Sequence, residues 1–163
     1  SFDGPIAIRY PRGSAHQGLQ EYQAPVEYGR SEIIRKGKKI AVLGVGSMIP
    51  SCMEICKGLK DDGYDPTFVN ARFVKPLDVD LLDELAKDHS LFVTVEENVK
   101  NGGYGEHVSA YMEACHPEIR VLSAAVWDRF VPQGNVESLR SRIGLGVEDI
   151  RQAIEDSEEL REQ

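Results

Sequence analysis

The fold of this chain is decided by one stretch, KIAVLGVGSMIPSCMEICKGL, which covers residues 39–59. Residues 39–45 form a continuous apolar run that is typical of a strand covered on both faces. From Ser47 onward the apolar residues follow spacings of three and four, which predicts a helix with Ser47 as its N-cap. The stretch therefore predicts a strand, a tight glycine turn and a helix.

The same strand-and-helix unit recurs along the chain. Further strands are predicted over residues 67–70 and 91–95, and a last buried strand over 119–122. Helices are predicted from the cap Asp78 onward and over residues 104–115, 136–142 and 147–160. Such alternation is typical of right-handed crossovers between parallel strands. The sequence therefore predicts a three-layer α/β/α domain with a mostly parallel sheet of about five strands.

The region before this domain has a different character. Residues 14–30 are polar, follow neither period and contain the breakers Gly18, Pro25 and Gly29, so they are interpreted as a linker. Residues 31–35 form a short strand candidate. The turn at residues 36–38 predicts that this strand folds back as a hairpin onto residues 39–45. The domain proper is expected to cover residues 31–163.

Composition excludes several classes of function. The 163 residues carry a formal net charge of -8, which argues against binding a phosphate backbone with the surface as a whole. No apolar run approaches the roughly 20 residues that span a bilayer, and residues 1–4 show no signal sequence. Cys52, Cys56 and Cys115 form neither a disulfide framework nor a metal-ligand spacing. A cytoplasmic protein with reduced cysteines, no metal site and no nucleic-acid or membrane partner is expected.

Two arginines are candidate anion-binding residues. Arg9 follows the apolar run at residues 6–8, and Arg72 lies two residues beyond the strand predicted over residues 67–70. A guanidinium presents paired donors that match phosphate or carboxylate oxygens, and two such groups can hold a dianion. On composition alone, an arginine in such a position is more often a surface or salt-bridge residue than an anion ligand.

A glycine-rich loop follows the strand predicted over residues 91–95. Gly102 and Gly103 could wrap a ligand or a partner, or they could form a tight connection that needs positive φ. Glu96 and Glu97 end the same strand, but successive strand residues point to opposite faces, so they do not form a dyad. One of the two is expected to meet an arginine or a neighbouring subunit.

No constellation of catalytic residues is found in the sequence. Gly44 and Gly46 precede a helix, yet the third glycine of a dinucleotide-binding motif is replaced by Ile49, so a turn that needs small residues is the preferred interpretation. The four histidines are scattered along the chain and form no Ser-His-Asp arrangement.

Taken in order, several motifs resemble those of the 1-deoxy-D-xylulose-5-phosphate synthase family, enzymes of the transketolase type. The most specific is ARFVKPLD at residues 71–78. The others are RYPRG at residues 9–13, VTVEEN at 93–98, GGYG at 102–105 and DRFVPQG at 128–134. The resemblance covers nearly the whole chain. Two departures are Glu106-His107, where the family usually has small residues, and Trp127, where proline is common.

The resemblance implies a parent enzyme that condenses pyruvate with glyceraldehyde 3-phosphate, using thiamine diphosphate and Mg²⁺, in isoprenoid and thiamine biosynthesis. It implies that Arg9 and Arg72 hold the phosphate of the acceptor. The residues themselves, at a strand end and in a glycine-rich loop, indicate a candidate interface or site edge for Glu96, Glu97, Gly102 and Gly103. The catalytic and cofactor-binding residues are expected upstream of Ser1, so this chain alone is expected to bind no cofactor and to be inactive.

The resemblance also implies how the chain is organised and assembled. Residues 1–13 are expected to be the tail of a preceding pyrimidine-binding domain, and the parent is expected to be a homodimer that acts on a phosphosugar. The alternative is the C-terminal domain of a transketolase or of a 2-oxoacid dehydrogenase β subunit, which serves as a structural module for dimerisation or partner docking.

Overall fold

The computed structural model describes residues 3–5, 16–22 and 24–157. Its strands are β1 (Glu32–Arg35), β2 (Lys39–Gly44), β3 (Thr67–Asn70), β4 (His89–Val99) and β5 (Arg120–Val126). Its helices are α1 (Ile49–Asp61), α2 (Val79–Ala86), α3 (Tyr104–Cys115), α4 (Val136–Arg142) and α5 (Val147–Glu155). Within the described part, no helix has both the length and the apolar character needed to cross a membrane.

The five strands form one sheet in the order β1-β3-β2-β4-β5. All neighbours are parallel except β1, which runs antiparallel to β3. Right-handed crossovers explain the placement of the helices, because β2 to β3 moves one way across the sheet, while β3 to β4 and β4 to β5 move the other way. The helix of the first connection must therefore lie on the opposite face from the other two.

Two hydrophobic cores show this layering. Helices α1 and α5 cover one face, where Ile55 and Ile150 pack with Ile40 and Val42. Helices α2 and α3 cover the other, where Leu82 and Val108 pack with residues of the alternate set in β2, such as Leu43. The predicted three-layer α/β/α architecture is confirmed. Because both faces of β2 are buried, this strand is a continuous apolar run rather than an alternating one.

The predicted hairpin between β1 and β2 is wrong. Strand β1 pairs instead with β3, with Glu32 opposite Asn70. The turn between β1 and β2 packs against the start of β3, since Gly37 donates its N–H to Thr67 Oγ1 at 2.9 Å. A Cβ on Gly37 would lie 2.6 Å from the carbonyl of Pro66. The turn therefore carries the chain from one side of β3 to the other.

Three further predictions need correction. Ser47 does not cap α1; it lies in a 3-10 turn, and Met48 is the N-cap, without a side-chain hydrogen bond. The last strand is not a buried strand over 119–122 but β5, a half-buried edge strand. Helix α5 ends at Glu155 with Asp156 as its C-cap, earlier than the predicted end at Leu160, which itself lies outside the described residues.

A buried histidine fixes the amino end of the sheet. His89 Nδ1 lies 2.8 Å from the carbonyl oxygen of Leu85, and its Nε2 lies 2.7 Å from Thr67 Oγ1. Burial lowers the pKa of His89, against the opposing effects of the Leu85 carbonyl and the charge of Asp88. A neutral ring that donates from Nδ1 and accepts at Nε2 satisfies both contacts.

Candidate functional site

The strand ends that could form a site meet at the carboxyl edge of the sheet. Gly44 ends β2 and is paired with Asn70 of β3 on one side and Val95 of β4 on the other. The helix that follows β2 lies on the opposite face from those that follow β3 and β4. Such a reversal opens a crevice at the carboxyl ends of the strands, where α/β folds place their ligands.

The backbone at Arg72 is strained. Arg72 has a φ of 54°, in the left-handed region that residues with a Cβ rarely adopt. The carbonyl of Ala71 accepts from the N–H of Phe73, which closes a γ-turn around Arg72. Asn70 Oδ1 accepts from the Arg72 N–H at 3.3 Å. The segment is thus held in a conformation that costs on the order of 1 kcal/mol, which is typical of functional positions.

The side chain of Arg72 is already engaged within the chain. Its Nη2 donates to Glu32 Oε2 at 2.5 Å and to the carbonyl of Ala24 at 3.3 Å, and its Nη1 donates to the carbonyl of Pro25 at 3.3 Å. These contacts use three of the five N–H donors of the guanidinium. Two donors, on Nε and Nη1, have no partner among the described residues. Arg9, the second predicted anion-binding residue, lies outside the described residues.

Asp78, the last residue of the ARFVKPLD motif, binds residues 30 and 31, where the predicted linker meets the domain. Its carboxylate accepts from the N–H of Ser31 at 2.7 Å and from Arg30 Nη1 at 3.0 Å. It also accepts from the Leu81 N–H at 3.4 Å, so the predicted cap of α2 is confirmed. Tyr28 and Phe73 add an edge-to-face ring contact at 5.7 Å between the same two segments. The cap was predictable from sequence, but the contacts with residues 30 and 31 were not.

Glu96 belongs to β4, and its fully buried carboxylate lies at the N-terminus of α3. Its Oε1 accepts from the N–H of Gly105 at 2.7 Å, and its Oε2 accepts from the N–H of Tyr104 at 2.9 Å. Asn98 Nδ2 donates to the same Oε2 at 3.3 Å. The carboxylate thus satisfies two N–H groups that the helix leaves without partners and complements the positive end of the helix dipole.

The two glycines of the loop serve different structural needs. Gly102 has a φ of 75°, and its N–H donates to Glu106 Oε2 at 2.5 Å. Gly103 has an ordinary φ, but a Cβ there would lie 2.6 Å from Glu96 Oε1 and 2.7 Å from the Val99 carbonyl. Positive φ is therefore needed at one of the two positions, while the other lets the backbone approach the buried carboxylate.

Glu97 points away from Glu96 and makes separate contacts. Its Oε1 accepts from Arg140 Nε at 3.0 Å, and its Oε2 accepts from Ser47 Oγ at 2.7 Å. Burial tends to raise the pKa of Glu97, but the hydrogen bonds from Arg140 and Ser47 and the charge of Arg140 together lower it. Glu97 therefore joins α4 to the turn after β2 as an ionised carboxylate. The hydroxyl of Ser47, which the sequence predicted to cap α1, donates to Glu97 instead.

These contacts define what the edge can do chemically. The carboxylates of Glu96 and Glu97 each accept hydrogen bonds from donors within the chain. Within residues 3–5, 16–22 and 24–157, no group of three or more His, Cys, Asp or Glu side chains is arranged to hold a metal ion. Arg72, with two remaining donors, can bind an anion. The described part of the edge therefore offers one guanidinium that can bind an anion.

Comparison with known proteins places this geometry in a family. Residues 29–150 match the family described as transketolase, C-terminal domain. Over 150 residues, the chain is 42% identical to the 1-deoxy-D-xylulose-5-phosphate synthase of Lachnoclostridium phytofermentans. The matched region covers 91% of this chain and 24% of the relative. The enzyme of the same name from Dictyoglomus thermophilum is 39% identical over 155 residues, or 94% of this chain and 25% of the relative. The chain thus spans about a quarter of the length of these curated relatives.

Solved structures agree with the fold. A chain described as a split gene transketolase, inactive beta4 tetramer, superposes with a TM-score of 0.77 at 29% identity, over 83% of this chain and 44% of that chain. The transketolase of Campylobacter jejuni superposes with a TM-score of 0.55 at 18% identity, over 79% of this chain and 19% of that chain. The second likeness supports the architecture alone.

Proposed function

This chain belongs to the transketolase C-terminal domain family, and from that premise we propose that it is the C-terminal domain of a 1-deoxy-D-xylulose-5-phosphate synthase in which Arg72 contacts the phosphate of the acceptor aldehyde. The parent enzyme condenses pyruvate with glyceraldehyde 3-phosphate to give 1-deoxy-D-xylulose 5-phosphate and carbon dioxide. The reaction belongs to isoprenoid and thiamine biosynthesis, and the enzyme works in the cytoplasm as a homodimer.

The observation that carries the proposal is the placement of Arg72. It lies at the carboxyl edge of a parallel sheet, on a strained γ-turn, with two guanidinium donors that have no partner among the described residues. Asp78 and the ring contact of Phe73 fix the segment on its C-terminal side. A guanidinium that is held in place binds a phosphate with little loss of side-chain freedom. Arg9 is proposed as the second phosphate ligand.

The cofactor is assigned to the rest of the parent enzyme. The family implies thiamine diphosphate with Mg²⁺, but the donor set of the described residues does not suit them, because no acidic cluster converges there and the buried Glu96 is occupied by N–H donors. The chain is therefore proposed to contribute one wall of the acceptor site, to bind no cofactor and to be inactive without its upstream domains.

Substitution of Arg72 in the full-length enzyme tests the proposal. Arg72→Ala is expected to raise the KM for glyceraldehyde 3-phosphate about tenfold or more and to leave the KM for pyruvate little changed, because only the acceptor carries a phosphate. Arg35→Ala is the matched control, since Arg35 also forms an ion pair, with Asp65, but at the opposite end of β1 and β3. Equal effects of the two variants would refute the proposal.

A second role, in assembly, is supported by an exposed apolar surface. Phe130 is fully exposed, and the side chain of Trp127 is 58% exposed beside it in the chain. Val99 and Val136 are exposed as well. A contiguous patch of exposed apolar residues is typical of interfaces, and these residues are proposed to contribute to one. If Phe130→Ser lowers the dimer fraction of the full-length enzyme in sedimentation while Arg72→Ala leaves acceptor kinetics unchanged, the domain is a structural module only.

A further inference from the structure

We propose that Glu32 is a positioning residue that sets the affinity of Arg72 for phosphate, holding the guanidinium in place while limiting how tightly a dianion can bind. This inference rests on the proposed function of Arg72 and adds to it a residue of β1, the edge strand that pairs with β3. None of the motifs that point to the family contains Glu32, and its role emerges only from the pairing of β1 with β3.

Arg72 and Glu32 form a short ion pair that is mostly buried. Glu32 lies opposite Asn70 in the antiparallel register, which brings its side chain to the residue two positions further along the chain, Arg72. The Nη2 to Oε2 distance is 2.5 Å, and the side chains of Arg72 and Glu32 are only 13% and 11% exposed. An ion pair so far removed from water is screened much less than a surface pair.

The pair changes the charge that an anion meets at this edge. Arg72 and Glu32 together carry no net charge, so a phosphate dianion approaching Arg72 is also repelled by the adjacent carboxylate. The nearby Arg30 does not restore the balance, because its Nη1 pairs with Asp78 and Asp80. Glu32 therefore opposes binding through its charge, although it favours binding by fixing the guanidinium.

The two effects of Glu32 can be separated by substitution. Glu32→Gln keeps an oxygen that can accept from Arg72 Nη2 but removes the negative charge. Glu32→Ala removes both the charge and the acceptor. We expect Glu32→Gln to bind phosphate about three- to tenfold more tightly than the wild type, and Glu32→Ala to gain less, because its guanidinium is no longer held. A merely structural role for Glu32 cannot produce tighter binding.

The full-length enzyme is titrated with inorganic phosphate at constant ionic strength, and the inhibition constant of phosphate against glyceraldehyde 3-phosphate is measured for each variant. The matched control is Asp65→Asn, which removes the carboxylate partner of Arg35 at the opposite end of the same strands and is expected to leave phosphate affinity unchanged. Tighter binding by Glu32→Gln than by the wild type, Glu32→Ala and Asp65→Asn supports the inference.

The outcomes that overturn the inference are distinct from those that overturn the proposed function. If Arg72→Ala abolishes phosphate binding but Glu32→Gln binds no more tightly than the wild type, Glu32 does not set the affinity, while the role of Arg72 stands. If Arg72→Ala binds phosphate as the wild type does, or if no variant binds at all, the proposed function fails and the inference fails with it.

Discussion

Replacing Glu96 with glutamine tests how the glycine-rich loop is held. Glu96→Gln keeps the size of a fully buried side chain but exchanges one carboxylate oxygen for an NH₂ group. The wild-type oxygens accept from the N–H groups of Gly105 and Tyr104 and from the side chain of Asn98. One of the two backbone N–H groups must therefore lose its acceptor and face another donor.

The expected cost follows from these contacts. A buried donor left without a partner costs about 1–3 kcal/mol, and loss of the negative charge at the helix N-terminus removes up to about 2 kcal/mol more. Glu96→Gln is therefore expected to lower the free energy of unfolding by about 1–5 kcal/mol. Since about 1 kcal/mol corresponds to roughly 2–4 °C in a domain of this size, Tm should fall by about 2–20 °C.

Urea denaturation followed by circular dichroism measures this loss, and amide exchange of Tyr104 and Gly105 shows whether it is local. The matched control is Glu97→Gln, on the neighbouring residue, whose side chain is 40% exposed and whose contact with Arg140 should contribute less than about 1 kcal/mol. Equal losses in the two variants, or unchanged exchange at Tyr104 and Gly105, would refute the assignment of Glu96 as the residue that fixes the loop.

Three further predictions concern stability. Gly103→Ala places a Cβ 2.7 Å from the Val99 carbonyl and should lower the free energy of unfolding by about 1–3 kcal/mol in urea titrations; an unchanged midpoint would contradict this. Asp78→Ala should cost about 1–3 kcal/mol and increase proteolysis before residue 31, because the carboxylate caps α2 and holds Ser31; protection equal to that of the wild type would argue against the fastening role. Burial lowers the pKa of His89 in the folded chain, so the unfolded chain binds more protons as the pH falls through the ordinary histidine range, and the free energy of unfolding should decrease there. His89→Gln should remove this part of the pH dependence of stability. An identical pH dependence in the variant and the wild type would rule out the contribution of His89.

Local signals in the sequence were sufficient for the layered fold. The apolar run of β2 and the spacing of three and four in α1 identified a strand and a helix, and Asp78 identified a helix start, because each signal depends on neighbours within a few residues. The partner of β1 could not be identified in this way. A strand of four residues can pair with either neighbour, and its pairing with β3 depends on contacts between distant parts of the chain, such as that of Gly37 with Thr67, 30 residues away.

The candidate site was predictable to a smaller extent for the same reason. Arg72 was singled out because it follows a strand, but its ion pair with Glu32 joins residues 40 positions apart and depends on the strand order. Glu96 and Gly103 could be placed at one strand end and one loop, yet nothing in their spacing shows that the glycine makes room for the carboxylate. Ser47 was assigned to a helix cap because its local pattern suits one, whereas Glu97 of β4 competes for its hydroxyl.

The central claim is that Arg72 contacts the phosphate of the acceptor. The most direct measurement compares kcat/KM for glyceraldehyde 3-phosphate with that for unphosphorylated glyceraldehyde in the full-length enzyme, with and without Arg72→Ala. We expect the variant to lose at least about tenfold of its preference for the phosphorylated acceptor, while its activity on glyceraldehyde is nearly unchanged. A variant that loses activity on both acceptors by the same factor would contradict the claim.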